Sequence, residues 1–548
     1  MTIDFGLLPT GTDNPPAFLT PVACHDWMAS VPMANAGQAQ GMFLRQLNLL
    51  HRFQLSAVDR FELLETLRES VGDMQDDVAK KFAGRPLPLT PPEQAALEGT
   101  LAVWQALLNG YLRCLAAAVA KEPGLDALKA TIAQRTLSIF ASWQVDLCRG
   151  EQLPDAKFWQ MLHRVFATAE SMGVAQQAVD DHPRHGNTQT TPLGAYAEVH
   201  LVHMASPFEL PQRHLNWIAR WAKRWGTKLA LLTALPKEIA TSARPIFVDL
   251  ASDRPASYTS HSGGDGRWLD TTELRRSIKT RLVMLDRGEQ LSRMNLGEDC
   301  TQPAAGQLLQ RVYQRWCKGG APRRQERKPA SGGCEFIAGL DAVHYYLSGR
   351  KPFRPPIRDD AMLRREREEM ETFGTRATHH DENFSQQQGY QVENWAIIDD
   401  WQLLDQSASG LRLSRPLKAG VRIGNGQMIA VKLAGSAQFV TGNVRWALHD
   451  KNDSGGASLV AGIQLFPGIA TPISIRGADP GLRENFRQGL LLPEITPLNE
   501  PASVIIPVGT FRIKRPIEVF YDNKTQSLTL EKVLDRGGEF ERCSYSTK

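Results

Sequence analysis

The chain has 548 residues, too many for one ordinary hydrophobic core, so roughly two to four domains are expected. Hydrophobic residues make up 42% and charged residues 22%, the balance of a globular protein and not of a disordered chain. A net charge of +4 at this length gives no general attraction for nucleic acid, and seven scattered cysteines without a C-x-x-C pair argue against a disulfide framework or a zinc site.

Residues 1–36 are rich in Pro, Thr and Asn and read as an irregular arm. They carry no basic run ahead of an apolar core, and no apolar stretch in the chain approaches the length of a membrane span. A cytoplasmic protein in reducing surroundings is the expectation.

Residues 37–317 read as a helical domain. Ser56-Ala-Val-Asp59 is a capping-box start with Asp in the usual Glu position. Phe61, Leu64, Leu67, Val71 and Met74 follow at three- and four-residue steps, one face of a helix. Further helices are expected over 93–121, 125–147, from Pro154 onward, 195–205, 212–225, 271–286 and 306–317. One strand-like run stands at 245–250. Trp159-Gln-Met-Leu162 echoes the opening of a tetratricopeptide-type repeat, but no fixed period holds. The domain is therefore predicted as irregular helical hairpins, solenoid-like at most.

Residues 318–333, with the basic run Arg323-Arg-Gln-Glu-Arg-Lys328, have the composition of an exposed linker. A strand over 334–340 and a short helix over 340–347 come next. A charged, Gln-rich segment then reaches residue 392, with a helix expected over 359–373. Residues 393–476 alternate between apolar runs and turns as antiparallel strands of a small barrel do. Residues 477–548 add five more strand-like runs, read as a second barrel-like unit that 335–340 joins from across the first. The fold class is a multidomain α + β protein, a helical N-terminal domain followed by an antiparallel β-barrel region with additional strands.

One motif in the barrel region points to a ligand. Asp405-Gln-Ser-Ala-Ser-Gly410 is a D-x-S-x-x-G turn between two strands, followed by Gly442-Asn-Val-Arg-Trp446 and Val460-Ala-Gly-Ile-Gln464. This order, over about one sixth of the chain, resembles the PilZ family, bacterial domains best known for binding cyclic di-GMP. The resemblance implies that Asp405, Ser407 and Gly410 hold the turn positions of a ligand site. It also implies an R-x-x-x-R segment ahead of the barrel, whose guanidinium forks suit phosphates and purine faces. The glycine is expected at positive φ, beside the ligand.

The segment just ahead of Trp395 holds Arg376 and no R-x-x-x-R. Two such spacings lie farther upstream, Arg350 to Arg354 and Arg354 to Arg358, more than forty residues before Asp405 and about twice the family's usual gap. These three arginines complete the candidate site, with the charged segment 350–392 ordering around the dinucleotide. The bland readings are an Asx-type hairpin for the turn and a solvated basic stretch for the arginines.

Trp217, Trp221 and Trp225, interleaved with Arg220, Lys223 and Arg224, could stack nucleic acid. Core packing on one helix face explains the same spacing, and nucleic acid is not the expected partner. His200 and His203, His182 and His185, and His379 and His380 lack the third ligand a metal needs and are read as structural or exposed. No catalytic constellation, metal site or cofactor is expected. Two functions stay open: a non-enzymatic signalling adaptor regulated by cyclic di-GMP, and a PilZ-like scaffold that binds no nucleotide. In both, the helical domain is expected to bind a protein partner.

Overall fold

The computed structural model describes residues 4–181, 189–234, 244–259, 264–320, 326–356, 397–417, 421–451, 457–479 and 484–547. The helix expected over 359–373, and Arg358, Arg376, His182, His185, His379 and His380, lie outside them. Two compact units emerge. The first holds residues 1–85 and 89–324, the second 86–88 and 325–548.

The first unit is built mainly of helices: α1 (Pro21–Ala29), α2 (Ala36–Arg52), α3 (Ala57–Ala79), α4 (Pro91–Val119), α5 (Lys129–Arg149), α6 (Ala156–Ser171), α7 (Pro192–Met204), α8 (Gln212–Trp225), α9 (Thr272–Asp286) and α10 (Ala304–Cys317). The arm read as irregular thus contains α1, capped by Thr20 and started by Pro21, a residue whose fixed φ suits a first turn. At α3 the Ser56 hydroxyl accepts from the Asp59 amide at 3.1 Å. The same hydroxyl donates to the Asp59 carboxylate at 2.6 Å, which keeps the shorter acid within the cap. Helix α4 starts earlier than expected, at Pro91, and Glu93 accepts from the Thr90 amide at 2.8 Å.

Two small sheets join these helices. Strands β1 (Val179–Asp180) and β2 (Gln189–Thr190) form a pair. Strand β5 (Gly266–Asp270) lies between β3 (Ala230–Leu232) and β4 (Ile246–Asp249). Only β4 was legible, because its partners come from distant, short runs.

Trp217, Trp221 and Trp225 on α8 are buried in the core of this unit, beside Trp316. The Trp217 indole donates to Asp299 at 2.6 Å and Trp221 to the Leu296 carbonyl at 2.8 Å. Arg220 pairs with Asp299 at 2.6 Å. The tryptophans are therefore packing, not a stacking surface.

The second unit begins with β6 (Lys328–Pro329), β7 (Gly333–Ala338) and α11 (Leu340–Leu347). It continues with β8 (Asp399–Ser407), β9 (Gly410–Pro416), β10 (Met428–Leu433), β11 (Val440–Lys451) and β12 (Ala457–Leu465). Their spatial order is β6-β8-β7-β10-β11-β12-β9, and the pairing of β8 with β9 closes the sheet into barrel A. Barrel B follows, closed in the order β13-β14-β15-β18-β17-β16 by β13 (Thr471–Gly477), β14 (Arg487–Leu492), β15 (Ser503–Pro507), β16 (Pro516–Tyr521), β17 (Lys524–Arg536) and β18 (Phe540–Thr547).

Two expectations need correction here. Residues 471–477, read as the end of the first barrel, open the second. Strand β7 pairs within barrel A, between β8 and β10, and shares in the joint between the barrels through Ile337 and not as a strand. The joint is built around α11. Its Leu340, Ala342 and Val343 share one buried cluster with Met428 and Ala430 of barrel A and Leu490, Leu492 and Ile505 of barrel B. No helix among the described residues is long and apolar enough to cross a membrane.

Candidate functional site

Strands β8 and β9 form a hairpin in which Ser407 faces Gly410 across the two-residue turn Ala408-Ser409. The Ser407 hydroxyl donates to the Gly410 carbonyl at 3.4 Å, a long contact. Gly410 is not in the left-handed region, contrary to expectation. Its glycine is required by a neighbour: a Cβ there would sit 2.8 Å from the Ile463 carbonyl oxygen on β12. The Leu465 amide also donates to the Ser409 carbonyl at 3.0 Å, which ties the turn to the same strand.

Asp405 follows a register shift in β8. Its carboxylate is 2.9 Å from Arg327 Nη1 and 3.8 Å from Arg412 Nη1. Residues directly opposite in neighbouring strands share a face of the sheet. The register runs Pro329 to Asp405, Asp405 to Arg412, Arg412 to Gly462 and Gly462 to Trp446, one row across β6, β8, β9, β12 and β11. Alternate positions Leu411, Leu413 and Val444 are buried, so the row lies on the outer face. A Cβ on Gly462 would come 2.2 Å from the Trp446 indole, so this glycine is what leaves room for the ring over β12. The motif strands Gly442–Trp446 and Val460–Gln464 are in this sense one device, an aromatic covering a cross-strand glycine. Side-chain exposure is 19% for Asp405, 32% for Arg327 and 44% for Arg412, so the carboxylate is largely covered while both guanidinium groups stay open to solvent.

Arg350 and Arg354 occupy a different place. Arg350 follows α11 with φ at 63° and its guanidinium 5.7 Å from the Tyr346 ring centre, and Arg354 is exposed. Among the described residues, no hydrogen bond or ion pair joins either of them to Asp405 or Ser407. Arg327, the arginine nearer to Asp405, belongs to the basic run read as linker. That run contains the spacing Arg323-x-x-x-Arg327, and Arg323 and Arg324 lie outside the described residues. Arg327 and Asp405 are 78 residues apart in sequence. Strands β7 and β8 are neighbours, so most of that distance is one excursion between them. The signal was legible as an R-x-x-x-R directly ahead of the first barrel strand. It was missed because the gap was counted along the chain.

The histidines do chemistry of another kind. His163, His200 and His203 pack with Trp159 and Tyr196, and His163 bonds the Tyr196 hydroxyl at 2.7 Å and the Arg254 carbonyl at 2.8 Å. No group of three or more metal-ligating side chains occurs among the described residues. Burial lowers all three imidazole pKa values, that of His203 to about 4 and that of His200 well below 6.5. A depressed folded pKa gives stability that is complete above the unfolded value of 6.5 and is lost as pH falls towards 4. Buried Glu151, pushed upward, opposes this. Asp181, which Arg68 holds at about 2 against the cost of burial, acts only at lower pH. His203→Gln is therefore expected to flatten the fall of the thermal midpoint between pH 6.5 and 4 relative to the parent chain. An unchanged slope would contradict a neutral buried imidazole.

Comparison with known proteins gives three consecutive family matches. The model described as cyclic-di-GMP receptor FimW, N-terminal domain, matches residues 22–237. Its middle PilZ domain matches residues 246–400, and the FimW C-terminal beta-barrel domain matches residues 473–547. The middle match contains Arg327 and β7 and stops at residue 400 inside β8, before Asp405. The last match begins inside β13, as barrel B does. The cyclic-di-GMP receptor FimW of Pseudomonas aeruginosa is 22% identical over an alignment of 581 residues, which covers 98% of this chain and 92% of that protein.

Proposed function

As a PilZ-domain protein with a helical N-terminal region, the chain is, we propose, a non-enzymatic signalling receptor that takes cyclic di-GMP on the outer face of barrel A. The observation that carries this reading is the contact of Arg327 with Asp405. It joins an R-x-x-x-R segment to the D-x-S-x-x-G turn although 78 residues separate them. The ligand offers two phosphates and two guanines. Arg327 and Arg412 would pair with phosphate oxygens in bidentate fashion. Asp405 would accept from a guanine edge, and Ser407 would hold the turn. Trp446 supplies a flat apolar surface within the same row, on which a base can stack.

In the structure Asp405 is paired with arginine. Binding would therefore exchange Arg–carboxylate pairs for Arg–phosphate pairs. The similarity to the receptor FimW supports the ligand class. Arg350 and Arg354 make no contact with Asp405 or Ser407 among the described residues and are left out of this reading, and Arg358 lies outside the described residues. Calorimetric titration of the full chain with cyclic di-GMP tests the proposal. The expected result is saturable binding that weakens on Asp405→Ala. Absence of heat and of any thermal shift would leave the chain as a scaffold acting through protein contacts.

A further inference from the structure

A concentration of positive charge lies in the first unit, where the N-terminal arm crosses the end of α2. The Gly11 amide donates to the Arg52 carbonyl at 2.9 Å, and the Gly11 carbonyl accepts from Gln54 at 2.9 Å. Arg113, from α4, donates to the carbonyl of Leu8. Arg60, from α3, is only 3% exposed and spans the carbonyls of Leu50 and Phe53, the latter at 2.8 Å. Arg52 is exposed at the same turn, and His51 beside it is 4% exposed.

Arg60 thus holds residues 50 and 53, Arg52 lies between them, and Arg113 holds Leu8 on the arm that pairs with this turn. Among the described residues, the guanidinium groups of Arg60 and Arg113 bond main-chain carbonyls and not carboxylates. Burial lowers the Arg60 pKa first, Cys114 opposes it, and the repulsion from Arg113 exceeds the pull of Glu122. Two buried nitrogens at this place have no hydrogen-bond partner, His51 Nδ1 and Arg113 Nε. Burial, followed by the charges of Arg113, Arg52 and Arg60, brings the His51 pKa down to about 4, so the ring is neutral near pH 7 and can donate from Nδ1. Buried charge without a counter-charge is costly, and unpaired buried donors add to that cost. An anion would relieve both.

We propose that Arg52, Arg60, Arg113 and His51 form a binding site for the phosphate group of a small ligand, separate from the outer face of barrel A. A phosphate fits this donor set better than a carboxylate. It carries close to two charges and three terminal oxygens, enough for several guanidinium forks and an imidazole N–H. The solvent-exposed Arg52 marks the side from which the ligand enters.

The test is the thermal midpoint of the full chain in rising inorganic phosphate, against sodium chloride at matched ionic strength. A second arm uses adenosine monophosphate. The expected result is a saturable rise in phosphate that chloride does not reproduce, with Arg52→Gln weakening the apparent affinity about tenfold. In chloride alone Arg52→Gln should raise the midpoint, because a repelling like charge has gone. A merely structural arginine would do the opposite. A response to adenosine monophosphate as strong as that to phosphate identifies a phosphomonoester as the ligand, and a response to inorganic phosphate alone identifies the free ion. The proposal is overturned if phosphate and chloride act alike. It is also overturned if Arg52→Gln lowers the midpoint in chloride and leaves the phosphate response intact. Repeating the titrations in Arg327→Ala separates this outcome from failure of the dinucleotide site.

Discussion

Replacing Arg327 by alanine is expected to weaken cyclic di-GMP binding by about 10- to 100-fold, the equivalent of one charge-assisted contact to a phosphate. The side chain is the member of the basic run seen against the D-x-S-x-x-G turn, 2.9 Å from Asp405. With 32% exposure it does little for the core, so the folded state should survive the change and the thermal midpoint should move little. Arg327→Lys should fall between the two, since it keeps the charge and loses the fork. Arg350→Ala and Arg354→Ala serve as matched controls, with no loss expected. Calorimetry on the four variants gives the answer directly. Full affinity in Arg327→Ala, with loss in either control, would move the site to the end of α11 and restore the arginines favoured by chain spacing.

That contrast shows how far the sequence could be followed. The hairpin Asp399–Pro416 and the strands after it were legible because their signals are local: alternation, turn residues, and a glycine set against an aromatic. Barrel B was legible for the same reason, down to its last five strands. What escaped was information carried by contacts between distant runs. Arg327 looked like linker because the excursion between β7 and β8 hides that the two strands are neighbours. The chain order of β12 and β13 gives no sign that the first is the last strand of one barrel and the second opens another. Gly410 was expected to serve the backbone's own conformation, whereas its need comes from the Ile463 carbonyl on a strand more than forty residues later. The Ser56 cap of α3, by contrast, is contained within four residues and was legible in the sequence.

The largest stability effect is expected from Asp399, on the same strand as Asp405. Arg415 has a fully buried side chain, and its Nε lies 2.9 Å from Asp399 Oδ2, itself 6% exposed. The pair is close but not aligned as a hydrogen bond along that contact. Arg415 is held from other sides as well: it donates to the Val421 carbonyl at 2.7 Å and lies 5.2 Å from the Trp401 ring centre. It therefore cannot swing into water when its partner is changed. Asp399→Asn keeps the shape and removes the counter-charge, leaving a buried guanidinium uncompensated, at a cost of about 3–5 kcal/mol. Hydrogen exchange should show the loss as faster exchange of the β8 and β9 amides, with the helical unit unaffected. The double change Asp399→Leu with Arg415→Met should recover most of the loss, because an apolar pair of similar volume has no desolvation to offset. If the double variant is as unstable as Asp399→Asn, the cost lies in packing and not in charge. The two outcomes also bear on the ligand site. An Arg415 left without its partner disturbs the hairpin that carries Asp405, so Asp399→Asn should weaken cyclic di-GMP binding and the double variant should restore it.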